Sequence, residues 1–84
     1  MVQLTVRYFA GARAAAGVPE ESFELPGGPT VAQALDAVRA RHGDGLERVL
    51  AACSFLLDGV AVRDRGTPVP SGSRLDVLPP FAGG

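Results

Sequence analysis

A chain of 84 residues and 8.6 kDa, 46% hydrophobic and 20% charged, supports one domain that buries about 60–65% of its unfolded surface, too thin a core for a catalytic pocket with its own cofactor. A net charge of −1 supplies no field to draw it to nucleic acid or an acidic membrane, and its apolar runs fall far short of the ~20 residues of a membrane span. One cysteine excludes an internal disulfide, a four-cysteine iron–sulfur cluster and a structural zinc site, and the opening Met1–Thr5 lacks the basic and apolar segments of a signal peptide, so the expected setting is the cytoplasm and no metal site is expected.

Val2, Leu4, Val6 and Tyr8 alternate with Gln3, Thr5, Arg7 and Phe9, the period of a strand with one buried face. Ala10 to Gly17 is alanine-rich and ends on glycine, which predicts a short helical turn with a glycine stop. After Pro19, Ser22–Leu25 reads as a short second strand closed by Pro26-Gly27-Gly28-Pro29. Thr30 and Gln33 have the spacing of a capping box. Val31, Ala34, Leu35 and Val38 then fall on one helical face, and Gly43 marks the stop. Arg39, Arg41 and His42 lie where the helix dipole favours cations. A second short helical piece is expected over Leu46–Ala52.

Asp58-Gly59 separates the apolar runs Phe55–Leu57 and Val60–Val62, a hairpin signal because both central turn positions need positive φ. A loop with Gly66, Pro68, Pro70 and Gly72 leads to the alternating Arg74–Leu78. The order strand, strand, helix, strand, strand, strand predicts a two-layer α+β domain, with the strands on one side of a single amphipathic helix.

The chemistry points to the tail. Pro79 and Pro80 end the last strand, since neither has an N–H for a ladder and each keeps the residue before it extended. The six residues Pro79–Gly84 reach about 20 Å at full extension. Glycine, lacking Cβ, passes through a slot too narrow for other residues, so Gly83-Gly84 places a free α-carboxylate at the end of a thin, flexible probe. All eight basic residues are arginine, leaving no lysine amine as an internal acceptor for isopeptide chains.

The Asp58-Gly59 hairpin, the opening Val6-Arg7-Tyr8-Phe9-Ala10 and above all Leu78-Pro79-Pro80-Phe81-Ala82-Gly83-Gly84 resemble the ubiquitin-like sulfur carriers, and among them the small subunits of molybdopterin synthases. The resemblance implies a β-grasp domain over residues 1–80, a mixed sheet of about five strands on one main helix, followed by a flexible tail over 81–84. It implies that Gly84 is adenylated by a ubiquitin-activating-like adenylyltransferase with ATP and Mg, the chain itself binding no cofactor. A sulfurtransferase or cysteine desulfurase then supplies the sulfur of a thiocarboxylate. Pro80, Phe81, Ala82 and Gly83 insert into the large synthase subunit, which carries the catalytic groups, and the sulfur goes to cyclic pyranopterin monophosphate. Carriers for thiamine, cysteine or tRNA thiolation share this tail chemistry, and a ubiquitin-like protein modifier is the alternative outside the class.

Phe9 and Leu78 fall on the nominally polar faces of their strands, Phe9 with Gln3, Thr5 and Arg7, Leu78 with Asp76. Two large apolar residues so placed suggest a partner-docking patch. In the resembling family a hydrophobic sheet surface beside the tail docks on both activator and synthase; Phe9 and Leu78 match it, and Val62 is a third position for it. Cys53, in an apolar stretch, reads as a small buried hydrophobe. His42 reads as a helix-end or solvated residue, and Asp58 as turn chemistry.

Overall fold

The computed structural model describes residues 1–80. In chain order the elements are β1 (Val2–Tyr8), α1 (Ala10–Ala16), β2 (Glu20–Leu25), α2 (Val31–His42), α3 (Asp44–Leu50), β3 (Ser54–Leu57), β4 (Val60–Ala61) and β5 (Ser73–Leu78). Among the described residues the strands form one mixed sheet in the order β2-β1-β5-β3-β4. β1 runs parallel to β5, and the other neighbours are antiparallel. This is the α+β, β-grasp arrangement that the residue pattern and the resemblance imply.

The alternation in β1 becomes two faces. Leu4, Val6 and Tyr8 meet Phe23 and Leu25 of β2, Leu75 and Val77 of β5, and Phe55 of β3 on the buried side. Val31, Ala34, Leu35 and Val38 of α2 close over them, with Leu46 and Leu50 of α3 and Ala12 of α1 completing the core. Fully burying one such aliphatic side chain contributes about 1.5–3 kcal/mol.

The local signals act as their chemistry requires. Thr30 Oγ1 accepts from Gln33 N–H while Gln33 Oε1 accepts from Thr30 N–H, the reciprocal capping box. Gly17 closes α1 at φ 80° and donates its N–H to Arg13 O. Asp58 and Gly59 sit at φ 49° and 84° between β3 and β4. Asp58 Oδ1 also accepts from Arg74 N–H at 2.9 Å, fastening the hairpin to β5.

Three boundaries differ from the expected ones. β2 begins at Glu20, because Glu20 and Glu21 continue the register opposite Arg7 and Val6. β5 begins one residue early, at Ser73, opposite Leu4. α3 runs Asp44–Leu50 rather than from Leu46 to Ala52, since Gly43 ends α2 and opens α3 together, with Asp44 and Glu47 in the first turn, where acidic residues suit the dipole.

His42 ends α2 as expected, but it is largely buried instead of solvated. Its Nε2 meets Glu21 Oε2, and its ring stands edge-on to Tyr8 with centroids 5.9 Å apart. Tyr8 Oη donates to the same Glu21 oxygen at 2.5 Å. Arg41 donates to Glu21 Oε1 at 3.3 Å and to Ser22 O at 3.0 Å, and its guanidinium covers the Phe23 ring at 3.9 Å. Glu21 therefore ties β1, β2 and the end of α2 together. Burial alone would raise its pKa, but the hydrogen bonds from Tyr8, His42 and Arg41 outweigh burial and hold the carboxyl below its ordinary value. Burial first, and the bond to Glu21 second, push the Tyr8 hydroxyl well above its own.

A carboxyl depressed in the folded state stabilises the fold above its unfolded pKa and loses that contribution as pH falls through the folded value. Denaturant titrations across pH should show stability falling on acidification below the ordinary carboxyl value of 4.5. Glu21→Gln should lose about 1–2 kcal/mol at pH 7 and show a shallower acid limb.

Candidate functional site

The candidate site lies where the end of β1, the start of α1 and the end of β5 meet. The parallel register sets Arg7 beside Asp76 and Tyr8 beside Val77. One step further, Phe9 N–H donates to Val77 O at 3.3 Å, so the Phe9 backbone still belongs to the sheet. Its carbonyl already accepts from Ala12 and Arg13 N–H and opens α1. The chain turns from strand to helix within one residue at Ala10, which takes φ 48°. A side chain with Cβ held in that region costs roughly 1–2 kcal/mol.

Across the sheet Leu78 pairs with Ser54 at the end of β3. Phe9, Ala10, Gly11, Ser54, Leu78, Pro79 and Pro80 line an open, largely apolar groove of about 550 Å³. Strand alternation singles out Phe9 and Leu78, and the structure brings them together at the foot of the tail. Ala10, Gly11 and Ser54 join them; nothing in the sequence marks Ser54, because which residue of one strand faces which of another depends on register. The start of a helix directly after Phe9 is the one signal for Ala10 and Gly11.

Val62 does not share this groove. Its N–H donates to Phe55 O at 2.9 Å, and its side chain packs against the core cluster beside buried Phe55. Val62 is partly buried and lies outside the residues that line the groove. Pro80 is exposed at the end of the described chain. Phe81, Ala82, Gly83 and Gly84 lie outside the described residues.

Next to the groove, Arg7 forms a two-pronged ion pair with Asp76, Nε to Oδ1 at 2.9 Å and Nη2 to Oδ2 at 3.1 Å. Arg74 Nε lies 3.6 Å from Asp76 Oδ1. The hydrogen bond to Asp76 raises the Arg7 pKa further above its already high value. Cys53 is half-buried against the core and donates its thiol to Val49 O at 3.1 Å, and burial pushes the thiol up. A raised thiol is a weak nucleophile at neutral pH. Among the described residues no group of three or more His, Cys, Asp or Glu side chains is placed to hold a metal ion. Among them, too, no helix is long and apolar enough to cross a membrane.

The site thus offers an apolar groove beside the two prolines that follow β5.

Known proteins share this architecture. The chain is 34% identical, over 99% of its length and 100% of the relative's, to the molybdopterin synthase sulfur carrier subunit of Chlamydomonas reinhardtii. It superposes on the putative molybdopterin converting factor subunit 1 of Pyrococcus furiosus with a TM-score of 0.87 at 28% identity, covering 96% of this chain and 100% of that one. It superposes on SAMP1, a small archaeal modifier protein of Haloferax volcanii, with a TM-score of 0.88 at 29% identity, covering 98% and 99%. Residues 6–84 match the ThiS family, and with the β-grasp sheet, the groove at the end of β5 and the Gly-Gly ending in one chain, the protein belongs to that family.

Proposed function

We propose that this chain is a sulfur carrier acting through the Gly84 carboxylate, as the small subunit of a molybdopterin synthase. The observation that carries the reading is the delivery of β5 through Pro79-Pro80, beside an apolar groove, into Phe81-Ala82-Gly83-Gly84. The name of the 34% identical relative supports the pathway.

A carboxylate is inert to sulfur because its oxygen is a poor leaving group. Joining the Gly84 carboxylate to AMP, with release of pyrophosphate from Mg-ATP, makes the acyl carbon electrophilic. The terminal sulfur of a persulfide on a sulfurtransferase or cysteine desulfurase displaces AMP. A thiol then cleaves the S–S bond and leaves Gly84 as a thiocarboxylate, anionic at neutral pH and confined to one protein address. The tail enters the large subunit, whose groups transfer the sulfur to cyclic pyranopterin monophosphate while water restores the carboxylate. Two charged tails are spent for each dithiolene. The chain needs no cofactor of its own for this; ATP and Mg serve the activating adenylyltransferase. The groove supplies what the carrier must contribute, a docking surface that brings the carboxylate to a fixed place.

A second reading, a ubiquitin-like modifier, is favoured by the likeness to small archaeal modifier proteins and by the Gly-Gly ending. The chain has no lysine on which to build chains of itself. Conjugates should therefore carry a single copy at each acceptor site, which immunoblots of cell extracts against the carrier would read as one mass step per site. Adducts bearing the tail, with a thiocarboxylate never formed, would overturn the carrier reading.

Incubation with the activating enzyme, Mg-ATP and a sulfur donor should replace one oxygen by sulfur at Gly84, read as the matching gain in intact mass. One residue added after Gly84 should abolish that gain and leave the melting temperature unchanged; full activity without Gly84 would refute the reading. Phe9→Arg should weaken binding to the activator or the large subunit by about tenfold or more with little loss of fold, as followed by calorimetry and thermal melting. Unfolding by that substitution would make Phe9 a core residue instead.

A further inference from the structure

The open face of the sheet holds a buried, paired carboxylate. Asp76 stands opposite the core, yet its side chain is only 8% exposed. A carboxylate this deep persists because it is paired, and such a pair adds little net stability over apolar residues of similar size. Its geometry is more informative than its energy. Both Asp76 oxygens receive the Arg7 fork, which fixes the guanidinium plane as a single contact would not. The guanidinium carbon lies 5.3 Å from the centroid of the Phe9 ring, within the range of attraction between a cation and an aromatic face. Phe9 lines the groove and Leu78, two positions beyond Asp76, lines it from β5. A line of contacts thus runs from Asp76 on β5 through Arg7 on β1 to the ring beside the tail's departure.

We infer that Asp76 is a positioning residue for the docking groove: through Arg7 it holds the Phe9 ring in place, so that a partner meets a wall already set. The physical benefit is that a side chain ordered before binding loses little freedom on docking, and an immobilised side chain otherwise costs about 0.5–1.5 kcal/mol, roughly a two- to twelvefold change in affinity. The inference rests on the carrier reading in that the partner is the enzyme that activates or receives the tail.

Asp76→Asn keeps the shape and removes the charge. In ATP–pyrophosphate exchange by the activating adenylyltransferase, with the full chain as varied substrate, it should raise KM about two- to twelvefold and leave kcat unchanged. In a Phe9→Leu background the same substitution should add no further rise, because there is no ring to hold. No rise in the natural background, or an equal rise in both, overturns the inference; a change in melting temperature alone is what a merely structural pair would give. Arg7→Lys keeps the charge and loses the flat fork, so it should raise KM similarly and covers the case in which Asp76→Asn fails to fold. The Phe9 ring resonances, which need no partner, should shift and broaden in either variant, and unchanged resonances overturn the inference. A natural chain that supports neither exchange nor thiocarboxylate formation, with Phe9 resonances that do respond, refutes the carrier reading and leaves the Asp76–Arg7–Phe9 link standing.

Discussion

The parallel pairing of β1 with β5 is the constraint on which the molecule depends. It joins the first strand to the last at the centre of the sheet, with β2 on one side and β3 on the other. Parallel neighbours need a crossover rather than a tight turn, and here the crossover is nearly the whole chain. Closing so long a loop costs entropy that grows slowly with its length, and burial of Leu4, Val6, Leu75 and Val77 against α2 offsets it. Phe9 and Leu78, far apart in sequence, are neighbours only through this pairing. The groove therefore forms with the complete fold and is lost with it.

The rest of the molecule divides its work by side. On the helix side the polar groups are structural. Glu21 gathers Tyr8, Arg41 and His42 into one hub that fastens α2 to the first two strands. On the open side Arg7, Arg74 and Asp76 form an ion-pair cluster next to the apolar groove. The left-handed Ala10 belongs to that side: its conformational cost lets α1 begin immediately beyond Phe9, so that Ala10 and Gly11 can line the groove.

Much of this is legible in the sequence because short-range chemistry decides it. The Thr30–Gln33 box, the Asp58-Gly59 turn, the Gly17 and Gly43 stops and the two faces of β1 each arise from residues within a few positions of one another, and tertiary packing does not override them. The rest depends on register. Nothing local says that Glu20 and Glu21 extend β2, since their pairing is with Arg7 and Val6. Nothing local places Ser54 opposite Leu78. His42 reads as a helix end, which it is, but its partner Glu21 lies on another element. The same holds for the tail: the residues after Leu78 suggest chemistry by themselves, whereas the groove beside them exists only in three dimensions.

The central place of β5 has a mechanical consequence. A pull applied along the chain beyond Pro80 is transmitted to a strand bonded on both flanks, to β1 and to β3. Such a load is shared by rows of hydrogen bonds side by side instead of opening them one after another, as it would in an edge strand peeled from its neighbour. A load on the end of β5 therefore reaches the middle of the sheet before any single strand can peel away.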